Sequence, residues 1–70
     1  MRMEDPIVVN LKVEMIRKQI SGEELSENMG ISLATFYKRM DDPDKFKVGE
    51  LKKGCKFLHV DLGDLVRRRS

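Results

Sequence analysis

Reactive side chains are scarce in this sequence. Its 70 residues include one cysteine, one histidine and no tryptophan. The lone Cys55 can form no intrachain disulfide and no cysteine-based zinc cluster, and His59 does not make up that deficit, so a reducing cytoplasm is the expected compartment. With neither a phosphate-binding glycine loop nor a metal-ligand cluster, acid–base, nucleophilic and metal-assisted catalysis all lack a constellation. The expectation is therefore no enzyme, no cofactor, no metal and no small-molecule substrate. Long apolar runs are missing too. Ile7-Val8-Val9 is interrupted by Asn10 and Lys12, far short of a signal core or a membrane span, which removes the membrane as a partner.

A large excess of one charge is also lacking, since the formal net charge is only +2. What counts is how that charge is spread. Acidic residues gather at Glu23, Glu24 and Glu27 and again at Asp41, Asp42 and Asp44. Lys38, Arg39, Lys45, Lys47, Lys52, Lys53 and the tail from Arg67 to Arg69 are basic. Local basic surfaces are thus available under a small total. A single domain over residues 1–70 is expected, with a basic tail at 67–70. A chain of this length buries only about 60% of the surface its unfolded form exposes, which leaves little room for an enclosed pocket. Charged residues form 37% of the chain and hydrophobic ones 40%, a balance suited to a compact helix-rich domain.

What the sequence does have is helix starts. In Ile20-Ser21-Gly22-Glu23-Glu24-Leu25, Ser21 can cap the N–H of Glu24, Glu24 can reach back to Ser21, and Ile20 can staple onto Leu25. Ile31-Ser32-Leu33-Ala34-Thr35-Phe36 repeats the pattern with Ser32 as cap. Val60-Asp61-Leu62-Gly63-Asp64-Leu65 repeats it again, with Asp61 as cap and Asp64 in the first turn, where negative charge suits the helix dipole. Gly30 can take the left-handed conformation that ends the helix begun at Ser21, and Pro43 should end the one begun at Ser32 near Met40 or Asp41. Val48, Leu51, Cys55 and Leu58 recur at helical spacing, which predicts a further helix with a poorly capped start. Leu11, Met15 and Ile16 suggest helix from about Asn10, although Ile7, Val9, Leu11, Val13 and Met15 also alternate as a strand would. The reading is five short helices and no sheet.

Two short helices joined by a glycine-containing turn, the second well capped and carrying basic residues, form a helix-turn-helix between Ser21 and Met40. On its second helix Phe36 and Met40 face inward, and rotation by 100° per residue puts Ala34 and Lys38 on the opposite side. The segment from Ser21 to Met40 resembles the helix-turn-helix of Cro/C1-type, lambda-repressor-like (XRE-type) regulators of phages and prophages. The similarity continues through Pro43 and Val48 to Lys53.

That resemblance implies an all-α, five-helix lambda-repressor-like fold and binding to double-stranded DNA, as a homodimer at least on DNA. It implies a repressor-like or Cro-like regulator that acts by occupying an operator. Carried over by position, base reading falls on Leu33, Ala34, Tyr37 and Lys38, with Ser32 at the helix entrance. Phosphate contact falls on Ser21, Gly22, Thr35, Arg39, Lys45 and Lys47. Some positions depart from the family pattern: Leu33 and Ala34 stand where many members use glutamine or serine. Arg39 replaces a frequent apolar residue, and Lys47 stands where a threonine cap is common.

Other readings of these residues stand beside it. Tyr37 is either a groove contact or a packed rim aromatic. Cys55 reads as a small buried hydrophobe and His59 as a capping or surface residue. Phe57 lies on the far side of its helix and either packs under Leu62 or Val66 or forms a dimer patch with them. The competing function is a protein-interaction module on the same fold, an antirepressor or adaptor. The small net charge and the apolar Leu33-Ala34 tip favour it.

Overall fold

Asp5 and Pro6 start the first helix. In the computed structural model, which describes residues 5–67, the Asp5 carboxylate accepts the Ile7 N–H at 2.9 Å. Pro6 occupies the first helical position, where its missing N–H costs nothing. Helix α1 accordingly runs Pro6–Lys18. It begins a full turn before the Asn10 start expected from periodicity, and the strand alternative for residues 7–15 falls. A cap followed by proline is not a periodic signal, so the alternation of Ile7, Val9 and Leu11 masked it.

Beyond α1 come α2 (Gly22–Met29), α3 (Leu33–Asp41), a 3-10 turn (Pro43–Lys45), α4 (Val48–Leu58) and α5 (Leu62–Val66). No strand occurs among the described residues. Ser21 and Glu24 close the expected reciprocal cap, with Glu24 N–H on Ser21 Oγ at 3.1 Å and Ser21 N–H on Glu24 Oε1 at 3.4 Å. Gly30 ends α2 at φ 78°, a conformation in which a Cβ would be strained. At the end of α3, Asp42 leaves helical geometry ahead of Pro43 at φ −137°, ψ 76°.

Helix α4 has no side-chain cap at Lys47, which carries no acceptor. Only the return half is made, by Glu50 Oε1 accepting the Lys47 N–H at 3.1 Å. His59 ends α4 in the left-handed region, and its neighbour Val60 returns an N–H to Cys55 O at 3.0 Å. Asp61 stands at the N-cap of α5, and its own N–H meets Asp64 Oδ2 at 3.4 Å.

The core draws on every helix: Leu11 from α1, Leu25 and Met29 from α2, Phe36 from α3, Leu51, Cys55 and Leu58 from α4, and Leu65 from α5. Phe46, in the loop before α4, joins them. Val48, expected on the inner face of α4, is instead 59% exposed. Val48 is the first residue of α4, and Phe46, two residues earlier, is the buried side chain at this end of the helix. Phe57 is half-buried and packs against the core with Leu62, whereas Val66 is 47% exposed.

Helix α2 packs on α3 and α4, and α5 packs on α1 and α4. Polar groups secure these contacts. The amide of Asn10, a buried residue, donates to Leu65 O at 2.6 Å and Arg67 O at 2.8 Å, which holds the end of α5 against α1. Lys18 donates to Leu58 O at 2.6 Å and pairs with Glu14 at 2.6 Å, satisfying a carbonyl at the end of α4. Helix α3 in turn meets α2 and the 3-10 turn that follows it.

Candidate nucleic-acid interface

Helix α3 is fixed by its hidden side. Phe36 is 1% exposed, and Ile31, Leu33 and Met40 pack against the core beside it. Ser32 holds its entrance: Oγ accepts the Thr35 N–H at 3.1 Å, while the hydroxyl donates to Thr35 Oγ1 at 2.9 Å. These bonds give α3 a defined first turn and direction before any ligand is present.

The outward side carries Ala34, Tyr37 and Lys38, all exposed. Ala34 and Lys38 are four positions apart and so lie about 6 Å from each other along the axis. Among the other residues expected to read bases, Leu33 is half-buried and leans on α2, its methyl close to Gly22, and Ser32 spends its hydroxyl on capping. Of the five residues expected to read bases, Ala34, Tyr37 and Lys38 are thus exposed with no hydrogen bond of the side chain given to capping. Tyr37 sits edge-on to Phe36, with centroids 5.5 Å apart and planes at 64°, and its hydroxyl lies over Gly22 at the start of α2. The ring is braced at the rim by Phe36 and yet 57% exposed.

At the start of α2, Ser21 is exposed and Gly22 half-buried under Tyr37. The unpaired backbone amides of a helix start lie here, next to Tyr37 of α3, and helix N-termini attract phosphate in general. At the other end of α3, an open groove of about 470 Å³ is lined by Lys38, Arg39, Asp42, Lys45 and Lys47. Lys45 and Lys47 are exposed. Arg39 is not: its side chain is 17% exposed, its Nε donates to Lys45 O at 2.9 Å, and its Nη2 pairs with Glu50 Oε2 at 3.1 Å. No sequence pattern linked Arg39 to Glu50. The one available signal was that Glu50 stands three residues after Lys47, where a capping-box glutamate belongs.

This arrangement joins a helix braced on one side, exposed on the other and flanked by a helix N-terminus and two exposed loop lysines. The family model for Cro/C1-type HTH DNA-binding domains matches residues 10–69. The chain belongs to that family. It is an all-α helix-turn-helix DNA-binding domain. Neither the curated proteins nor the solved structures gave a match. The match to the Cro/C1-type domain begins at Asn10, so the first turn of α1, with its Asp5 cap, lies before it.

Other parts of the molecule bear on chemistry only weakly. Cys55 is buried, and burial pushes its thiol above the usual range, with Asp61 and Asp64 pushing the same way. Among the described residues no group of histidine, cysteine and carboxylate side chains could hold a metal, and no helix is long and apolar enough to cross a membrane. Of the expected basic tail, Arg67 pairs with Asp64 at 2.7 Å, and residues 68–70 lie outside the described residues.

Proposed function

We propose that this Cro/C1-type domain is a sequence-specific transcriptional regulator of the phage or prophage kind, repressor-like or Cro-like, which acts by occupying an operator. Helix α3 enters the major groove. Lys38 donates to guanine O6 or N7, and Ala34 meets a thymine methyl, with Tyr37 beside them and Ser32 and Leu33 at the entrance. Ser21 and Gly22 receive a phosphate through the start of α2, Thr35 stands at the edge of the groove, and Lys45 and Lys47 receive phosphates beyond α3.

The observation that carries this reading is the exposed Ala34, Tyr37 and Lys38 on a helix whose opposite side is locked by Phe36. No chemistry is involved, and occlusion is the mechanism. So short a reading face covers few base pairs, so two copies act together on a two-fold site with their α3 helices one DNA turn, roughly 34 Å, apart. The exposed Val66, with the edges of Phe57 and Leu62, supplies the apolar contact between copies.

Affinity for duplex DNA measured against salt tests the proposal. Each phosphate neutralised by a lysine contributes a slope of about −0.9 in log K against log salt. A steep decline is expected. A folded protein that binds no duplex at low salt would contradict the reading. The apolar Ala34 and the net charge of +2 favour the alternative of an antirepressor or adaptor, for which binding to a protein partner would persist as salt rises.

A further inference from the structure

We infer that Arg39 and Glu50 are a positioning pair that places Lys45 and Lys47 against the DNA backbone, while neither side chain makes a phosphate contact of its own. The inference rests on the DNA-binding reading and adds a role for two residues whose side chains face inward.

The evidence is how the backbone of the loop is tied. Arg39, near the end of α3, donates from Nε to the carbonyl of Lys45 at 2.9 Å. Its Nη2 reaches Glu50 Oε2 at 3.1 Å, and the other oxygen of Glu50 accepts the N–H of Lys47 at 3.1 Å. A single guanidinium–carboxylate bridge therefore holds Lys45 by its carbonyl and Lys47 by its amide. Phe46, between them, is buried and fixes the intervening turn. The side chains of Lys45 and Lys47 are left exposed while their main chain is registered to α3. The guanidinium acts here through its planar fork, two N–H groups of fixed direction, which an ammonium does not reproduce. Both partners are largely withdrawn from solvent, at 17% and 13% side-chain exposure, which suits a brace better than a direct phosphate contact.

Charge gives the test its sign. Glu50 is an anion beside a surface that meets a polyanion, so on electrostatics alone its removal tightens DNA binding. As a positioning residue its removal does the reverse. Glu50→Gln puts an amide NH2, a donor, in the place of one of the two carboxylate oxygens, so that the Lys47 N–H and Arg39 can no longer both meet an acceptor as they do now, and it leaves α4 its first-turn side chain.

The experiment measures affinity for one selected duplex at fixed salt, together with the urea midpoint, for wild type, Glu50→Gln, Arg39→Lys and both variants in a Lys45→Ala, Lys47→Ala background. The expected result is roughly fivefold weaker binding for Glu50→Gln, the scale of a partly exposed ion pair. Arg39→Lys, which retains the charge, should weaken binding to a similar degree. Both effects should shrink to near unity once the two lysines are gone, with the unfolding midpoints little changed. Tighter or unchanged binding by Glu50→Gln overturns the inference. So does full rescue by Arg39→Lys, or an effect that persists without Lys45 and Lys47. Wild-type protein that binds no duplex defeats the DNA-binding reading itself, whereas these outcomes in a protein that does bind defeat only the positioning role.

Discussion

The hydroxyl of Tyr37 occupies the place where a side chain at residue 22 would begin: a Cβ built on Gly22 stands 2.9 Å from Tyr37 Oη. The start of α2 and the exposed side of α3 are thus fitted to each other through these two residues. Tyr37 is held from behind by the edge of Phe36, so its ring has a preferred direction.

Gly22→Ala should therefore displace the Tyr37 ring with little effect on stability, because the atom in the way is the far end of a side chain. A change of roughly ±0.5 kcal/mol in the unfolding free energy is expected, in the range usual for surface substitutions. DNA affinity should fall several-fold, and Tyr37→Phe, which removes the clashing oxygen, should restore part of it in the double variant. Calorimetric or fluorescence titration of a duplex reads both. An alanine at residue 22 that binds as wild type would remove Tyr37 from the interface.

Asn10 couples the two ends of the chain, and its loss should be felt at α5. Asn10→Ala leaves the Leu65 carbonyl without its 2.6 Å donor. The cost of a buried polar group left unmade is about 1–3 kcal/mol. A lower urea midpoint and faster amide exchange in α5, with exchange in α2 and α3 following only global unfolding, are the expected signs. An unchanged midpoint would mean that Asn10 does not hold α5 in place.

The thiol of Cys55 sets a pH dependence. Burial, followed by Asp61 and Asp64, raises its pKa, so the folded chain holds the thiol proton more tightly than the unfolded chain. The stabilisation this brings is fully present below the unfolded thiol's pKa, about 8.5, and is lost as pH rises through the higher folded value. The unfolding free energy of wild type should fall relative to that of Cys55→Ala as pH is taken from 7 into that alkaline range. Native Cys55 should also alkylate far more slowly than the same residue in urea. A gap between wild type and Cys55→Ala that stays constant across this range would contradict the assignment.

The parts of the fold that were legible in the sequence were those written in local chemistry. Ser21 with Glu24, Ser32 with Thr35, Gly30 and Pro43 each act within four residues, and they bound α2 and α3 where the structure has them. The start of α1 was missed because Asp5-Pro6 lies ahead of an apolar stretch whose alternation allowed two periods. Val48 was misplaced because helical spacing says which residues share a face but not whether the first turn of that face meets the core. Ties between distant residues leave no local mark at all. Lys18 to Leu58, Asn10 to Leu65 and Arg39 to Glu50 depend on how the helices pack, and the last of these is what draws Arg39 away from the surface. The exposure of Ala34 and Lys38 was readable from rotation about a helix axis, whereas that of Tyr37, which flanks them, and the partial burial of Leu33 against α2 were not.

The central claim, that the outward side of α3 reads base sequence, is tested most directly by selecting bound duplexes from a random pool with wild type, Lys38→Ala and Lys45→Ala. The account predicts a palindromic site from wild type, with loss of preference at one position in each half for Lys38→Ala. For Lys45→Ala it predicts the same site at lower affinity, with a salt slope flatter by about 0.9. An identical consensus from wild type and Lys38→Ala, or no enrichment of any sequence by the folded protein, would contradict it.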